Sequence, residues 1–164
     1  MKIEDEEMIR TVPKPNFFRA STNNDIENKY GYRYAAWLSA SMFSIPKFTK
    51  IIKNETFCEV HFDYLLPNLG GGDVHVVYTV YGDGELAIDM SYMPSEDFIE
   101  MPAFGMMFGL YKNYDDITYL GRGPLENYID RNKGAVLGKY TYKASENVTP
   151  YLYPQELSLI HISE

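Results

Sequence analysis

The chain has 164 residues, 45% of them hydrophobic and 15% aromatic, enough for one globular domain with a real core. Its net charge of −8 argues against a nucleic-acid or anionic-membrane partner, because phosphate contacts need a basic face. The single cysteine, Cys58, excludes an internal disulfide, and no apolar run approaches membrane-spanning length. With no signal-like apolar segment at the start, the expected compartment is the cytoplasm.

Residues 1–10 are charged and expected to be loose. Pro13 and Pro15 make Thr11–Asn16 extended. Phe17 and Phe18 then lead into a polar run, Arg19 to Asp25, read as the entry cap of a following helix, since Asn and Asp side chains bond the free N–H groups of a first turn. Tyr30, Tyr34, Trp37, Leu38 and Met42 fall on one face of that single helix, near residues 29–43 and ended by Pro46.

From Thr56 the period becomes two. Cys58, Val60, Phe62 and Tyr64 form the apolar row of a half-buried strand. Gly70–Gly72 opens no helix, so it reads as a flexible connection rather than a phosphate loop. Val74, Val76, Tyr78 and Val80 pair across a Gly82-Asp83-Gly84 turn with Leu86, Ile88, Met90 and Tyr92, the clearest hairpin in the sequence. His61 and His75 lie opposite the apolar row and read as solvated strand-face residues without partners. The apolar run from Ala103 to Tyr111 suggests a strand buried on both faces. The outline is mainly β, antiparallel, with one helix.

Two further strands, Asp116–Leu120 and Ala135–Tyr142, flank the most unusual segment. Gly121, Gly123 and Pro124 mark a turn there. Glu126, Asn127, Tyr128, Asp130 and Arg131 then crowd carboxylate, amide, phenol and guanidinium groups that can close a hydrogen-bond network or hold a polyol. Glu126 and Asp130 are four residues apart, a spacing that joins side chains only on a helix, which this sequence does not promise. They are therefore a poor match for the two carboxyls of a retaining glycosidase, which lie ~5–5.5 Å apart. No serine elbow supports a Ser/His/Asp triad, and no Cys/His cluster has zinc spacing. A polar network fixing a long loop against a neighbouring domain fits better than a catalytic site.

Two stretches go beyond pattern. Pro15-Asn16-Phe17-Phe18-Arg19-Ala20-Ser21-Thr22-Asn23-Asn24-Asp25 resembles the Phe-Trp-Arg-Ala-Pro-Thr-Asp-Asn-Asp motif opening the C-terminal small-chain domain of bacterial β-galactosidases of glycoside hydrolase family 2. Tyr119 to Arg131, Gly138, Thr149-Pro150-Tyr151 and Pro154-Gln155-Glu156 resemble that domain's Gly-Arg-Gly-Pro-x-Glu-Asn-Tyr-x-Asp-Arg … Val-Pro-Tyr-x-x-Pro-Gln-Glu-Asn-Gly run. The resemblance implies a galactose-mutarotase-like β-supersandwich, here incomplete over residues 11–156. It implies a parent enzyme hydrolysing terminal β-D-galactosides, such as lactose, with retention. Both catalytic glutamates and the Mg²⁺ ligands of that family lie in a (β/α)₈ barrel domain, so no catalytic, metal or cofactor residue is expected here. The expected partner is that barrel domain or a separate large subunit, with the galactoside bound by the assembled enzyme. Arg19, Asn24, Asp25, Arg122, Glu126, Asn127, Tyr128, Asp130 and Arg131 are the candidate interdomain or sugar-rim network.

Ser21, Asn23 and Ile26-Glu27 depart from the family motif, which removes support for a ligand role there but leaves capping intact. Leu157 to Glu164 does not resemble the family's continuation and reads as a non-native tail of a truncated frame. The alternative reading is a stand-alone carbohydrate-binding or mutarotase-like module, which finds little support in three scattered histidines, His61, His75 and His161.

Overall fold

In the computed structural model the described residues are 2–3, 6–21, 23–67, 69, 73–94, 100–125 and 132–147. The chain divides into two units, Met1–Arg19 with Lys29–Gly109 and Ala20–Asn28 with Leu110–Glu164.

The first unit opens with two short paired strands, β1 (Lys2–Ile3) and β2 (Glu6–Glu7), where the sequence suggested a loose segment. β3 (Ile9–Asn16) is the extended Pro-containing stretch, and it buries Pro13 and Pro15. Proline suits it because, among the described residues, β3 sits in a sheet of two strands, beside β8, leaving backbone N–H positions with no ladder partner to lose.

α1 (Asn23–Glu27) belongs to the second unit. The polar run therefore forms a helix of its own, with Asp25 in its first turn, instead of capping the next one. The expected single helix is two: α2 (Tyr30–Arg33) and α3 (Ala35–Phe43), broken at Tyr34 with φ −111° and ψ 17°. Neither has a side-chain cap; α2 starts from Lys29 in the left-handed region at φ 54°.

The buried helical face is also rotated from the expected one. Tyr30, Tyr34, Trp37, Ala40 and Ser41 are buried, while Leu38 and Met42 are exposed. Ser41 explains the rotation: its Oγ donates to the Trp37 carbonyl at 2.8 Å and accepts the Phe17 N–H at 2.8 Å. A buried N–H beyond β3 thereby finds its partner on α3.

β4 (Ile45–Lys53) follows Ser44 directly, β5 is Phe57–Leu65, β6 Asp73–Tyr81 and β7 Leu86–Met93. They form an antiparallel sheet in the order β4-β5-β6-β7. The helix stops at Phe43, where the sequence placed its end; Pro46 lies three residues on, in the edge strand, where no second ladder needs its N–H. The expected hairpin forms, with Gly84 at φ 91° and its N–H bonded to the Tyr81 carbonyl at 3.2 Å. A side chain at that φ would be strained, so glycine is required.

Register places Phe62, Val76 and Met90 on one rung and Tyr64, Val74 and Tyr92 on the next. This face meets α2 and α3 in one core of Phe17, Tyr30, Tyr34, Trp37, Ala40, Tyr64, Leu66, Val74 and Val76. Trp37 stands at 5.5 Å from the Phe17 ring and edge-on to Tyr92 at 5.9 Å. Burying each large side chain here stabilises the fold by about 1.5–3 kcal/mol. Tyr78 donates to the Pro13 carbonyl at 2.9 Å and lies 3.2 Å from the Tyr64 hydroxyl, tying β3 to the sheet; burial pushes its phenol strongly up.

β8 (Gly105–Leu110) is not the strand buried on both faces that its apolar run suggested: Met107, Phe108 and Leu110 are exposed. Among the described residues it pairs with β3 alone, and a two-stranded sheet lacks the flanking layers that bury central strands. Gly109 lets it pass close to β3, since an added Cβ would stand 2.7 Å from Thr11 Oγ1.

The second unit holds β9 (Asp116–Gly123) and β10 (Val136–Lys143), an antiparallel pair in register from Asp116↔Lys143 to Gly123↔Val136. The chain is thus mainly β, with antiparallel sheets, as its periodicity suggested. The Gly70–Gly72 connection and the 157–164 tail lie outside the described residues.

Candidate functional site

The β9–β10 pair carries the structured part of the polar motif. Gly121 and Gly123 do not form the expected turn; both are strand residues, opposite Gly138 and Val136. The reason is the tyrosines on the same face. Tyr119 lies across Gly121, and the Tyr119 and Tyr140 rings crowd Gly123, where a Cβ would meet the Tyr119 hydroxyl and stand 3.0 Å from the Tyr140 ring. Glycine is thus used for close approach of ring to backbone.

Tyr119 and Tyr140 are 5.5 Å apart, and Tyr142 meets Tyr119 edge-on at 5.9 Å. Tyr140 donates to the Val136 carbonyl at 2.8 Å. The buried hydroxyls of Tyr119 and Tyr142 have no hydrogen-bond partner among the described residues. Burial pushes the Tyr142 phenol up, and nearby Tyr119 adds to this. The signal for this cluster was in the sequence: Tyr119, Gly121 and Gly123 on one strand and Gly138, Tyr140 and Tyr142 on the other recur at period two, which sets Tyr119 opposite Tyr140 and Gly121 opposite Gly138.

The other face of the pair is mixed. Leu120, Arg122 and Leu137 are exposed, with Arg122 opposite Leu137 and Leu120 opposite Lys139. Thr118 and Thr141 are hydrogen-bonded at 2.8 Å, and Lys143 pairs with Asp116 at 2.9 Å, a bond that holds the Lys143 ammonium above its usual range. Asp115 accepts from Ser145 Oγ at 2.7 Å and Ser145 N–H at 2.8 Å. These two bonds hold its carboxyl below the ordinary range.

The candidate residues are distributed as follows. Arg19 belongs to the first unit, its guanidinium 4.9 Å above the Tyr30 ring. Asn24 and Asp25 lie on α1 and Arg122 on β9, all in the second unit. Glu126, Asn127, Tyr128, Asp130 and Arg131 lie outside the described residues, just beyond Gly123-Pro124, whose peptide bond is cis. Among the described residues no group of three or more His, Cys, Asp or Glu side chains could hold a metal ion. No helix of the described chain is long and apolar enough to cross a membrane.

Two polar features escaped the sequence reading. Glu100 accepts from Arg33 at 3.1 Å and Tyr34 at 2.8 Å, and its carbonyl accepts the Trp37 indole N–H at 3.0 Å, so one residue pins both α2 and α3. His61 is buried rather than solvated, and it has partners: Glu59 at 3.2 Å and His75 at 3.3 Å. Rings on neighbouring strands cover each other, 5.4 Å apart, which takes His61 out of water.

A family model described as the β-galactosidase small chain matches residues 1–159. A β-galactosidase of Priestia megaterium is 39% identical over 153 residues, which is 93% of this chain and 15% of that protein. A β-galactosidase of Lactobacillus delbrueckii subsp. bulgaricus is 35% identical over 156 residues, 95% of this chain and 15% of the relative. A β-galactosidase small subunit of Latilactobacillus sakei is 28% identical over 176 residues, 95% of this chain and 55% of that subunit. The chain thus spans about a seventh of the full β-galactosidases and just over half of the small subunit.

Proposed function

The chain belongs to the β-galactosidase small-chain family, and from that membership we propose that it works as a structural, active-site-rim part of a β-galactosidase. The reaction proposed is hydrolysis of terminal β-D-galactosides of the lactose type, with retention. Retention needs an acid/base carboxyl and a nucleophilic carboxyl on either side of the scissile bond. In this reading both come from a catalytic (β/α)₈ domain or large subunit, and any Mg²⁺ is held there too. This chain contributes no catalytic, metal or cofactor residue; alone it is inactive.

The observation that carries the reading is the family-model match over residues 1–159, together with β-galactosidase relatives of which this chain covers a minor part. The Latilactobacillus relative, named a small subunit, supports a partner on a separate chain. The β9–β10 pair and the residues after Pro124 supply the material for an interface: rigid tyrosine rings on one face, Arg122 on the other, and Glu126 and Arg131 following in the sequence. A cytoplasmic location goes with the single cysteine.

The test is a replacement. Residues 1–156 are substituted for the matching segment of the Priestia megaterium β-galactosidase, and nitrophenyl β-D-galactoside hydrolysis is measured. Hydrolysis above that of the same protein with the segment deleted supports the proposal. A chimera that folds and assembles but hydrolyses no better than the deletion overturns it, as would galactosidase activity in this chain alone. Product anomers followed by NMR decide retention. In the chimera, Glu126→Ala and Arg131→Ala should weaken assembly by removing charge-assisted hydrogen bonds; unchanged assembly in both would remove them from the interface.

A further inference from the structure

The outer face of the four-stranded sheet lines up two carboxylates and two imidazoles. Register pairs Glu59 with Thr79, His61 with Val77 and Asp63 with His75, so these side chains leave the same face of β5 and β6. Glu59 Oε2 lies 3.2 Å from His61 Nε2, His61 Nδ1 lies 3.3 Å from His75 Nε2, and His75 Nδ1 lies 2.7 Å from Asp63 Oδ1. The line continues to the edge strand, where Thr49 donates to Asp63 Oδ2 at 2.9 Å. The His61 side chain is 10% exposed, so water has little access to replace a lost partner.

Hydrogen counting gives this line a definite state. An ionised carboxylate only accepts, so His61 Nε2 and His75 Nδ1 must each carry a hydrogen. The Thr49 bond and, above all, the His75 bond hold the Asp63 carboxyl below its ordinary range, in keeping with an ionised acceptor. The central contact needs one further hydrogen between two nitrogens. The full line therefore holds three hydrogens on four ring nitrogens: one imidazole neutral, its neighbour cationic. With two hydrogens, two lone pairs face each other or a carboxylate bond is given up. With four, two N–H groups face each other between like charges.

We infer that Glu59, His61, His75 and Asp63 form a one-proton clasp that fastens β5 to β6 and, through Thr49, to β4, and that opens when the histidine pair gains or loses a proton. Other charged side chains border this line. Lys47 shares the rung of Asp63 and Lys50 that of His61, both from β4. On the same face stand Asp73 at the start of β6 and Asp89 of β7, opposite Val77. With Glu59 and Asp63, four carboxylates and two ammonium groups thus share this face. A metal ion is a poorer occupant than a proton, because the carboxylates bond the far ring nitrogens and no third ligand joins the pair among the described residues.

The test uses the whole 164-residue chain and side-chain ¹⁵N–¹H NMR of the histidines across about pH 4 to 9, the range that spans imidazole titration. Two separate protonation steps are expected, with His61 hydrogenated on Nε2 and His75 on Nδ1 between them. Amide protection in β4, taken as the exchange rate relative to the intrinsic rate at each pH, should be greatest in that middle interval and lower by about tenfold on either side, the effect of one lost hydrogen bond. His75→Gln should leave His61 a single step and flatten the pH dependence of β4 protection. A single coincident step for both histidines in the unmodified chain overturns the clasp, whether or not the variant folds. Stoichiometric Zn²⁺ binding between the two rings overturns it in favour of a metal site.

Discussion

The first unit's sheet and the second unit's β9–β10 pair share one sequence signal, strict alternation, and bury their rings by different means. In the first, Val74, Val76 and Tyr64 are covered by α2 and α3, with Trp37 filling the space between. In the second, Tyr119 and Tyr140 fold down onto glycine backbone of their own pair. Alternation says that a face wants to leave water; it does not say whether a second layer or the strand's own backbone provides the cover. The glycines distinguish the two cases, because a ring can lie on a strand only where side chains are missing.

Removing the cover of the first sheet should have the largest effect. Trp37→Ala leaves a cavity beside Phe17 and Tyr92 and should cost about 3–5 kcal/mol, read as a lower urea midpoint with near-UV ellipticity lost. A loss under about 1 kcal/mol would mean that the helices are not the lid. In the β9–β10 pair the corresponding blow is addition rather than removal. Gly123→Val drives a side chain into Tyr119 and Tyr140 and should cost about 1–3 kcal/mol in the same assay, whereas Gly134→Ala, where a Cβ meets open space, should change little. Equal effects of the two would break the contrast drawn here.

Ser41→Ala leaves the buried Phe17 N–H unpaired and should cost about 1–2 kcal/mol, with Phe17 amide exchange rising ahead of its neighbours. The smallest effect is expected at Asp115. Its carboxyl is held low by Ser145, so the folded state gains from it above the unfolded value and loses that gain as pH falls through the folded value, below about pH 4. Asp115→Asn should flatten the acid limb of Ser145 amide exchange without moving that of β5. An unchanged acid limb would mean that the two Ser145 bonds are not formed in solution.

How much of this was legible in the sequence follows from the same physics. β5, β6 and β7 were readable because one face is covered and the other is not, which is the condition for alternation. β4 was missed: Ile51 and Ile52 are adjacent, and the register slips between Phe48 and Lys50, so no period survives. The helical face was misread by a few positions because hydrophobicity favoured Leu38 and Met42, while a hydrogen bond through Ser41 decided which side turned inward. The histidine line was invisible because register between strands, not spacing along one, brings it together. Of the candidate network, Arg19, Asn24, Asp25 and Arg122 are among the described residues, in two different units, and the cluster from Glu126 to Arg131 lies outside them.

All nine residues of β4 are exposed, among them Phe48, Ile51 and Ile52, and such an edge could template a neighbouring copy. It also carries Lys47, Lys50 and Lys53, a proline at its second position and an irregular step after Phe48. Docking a second strand there would desolvate ammonium groups, meet a position with no N–H to offer and lose alignment halfway along. These three obstacles act as gatekeepers against fibre growth. Replacing the lysines with threonine should therefore leave the fold intact while turning a clear solution into one that binds thioflavin T.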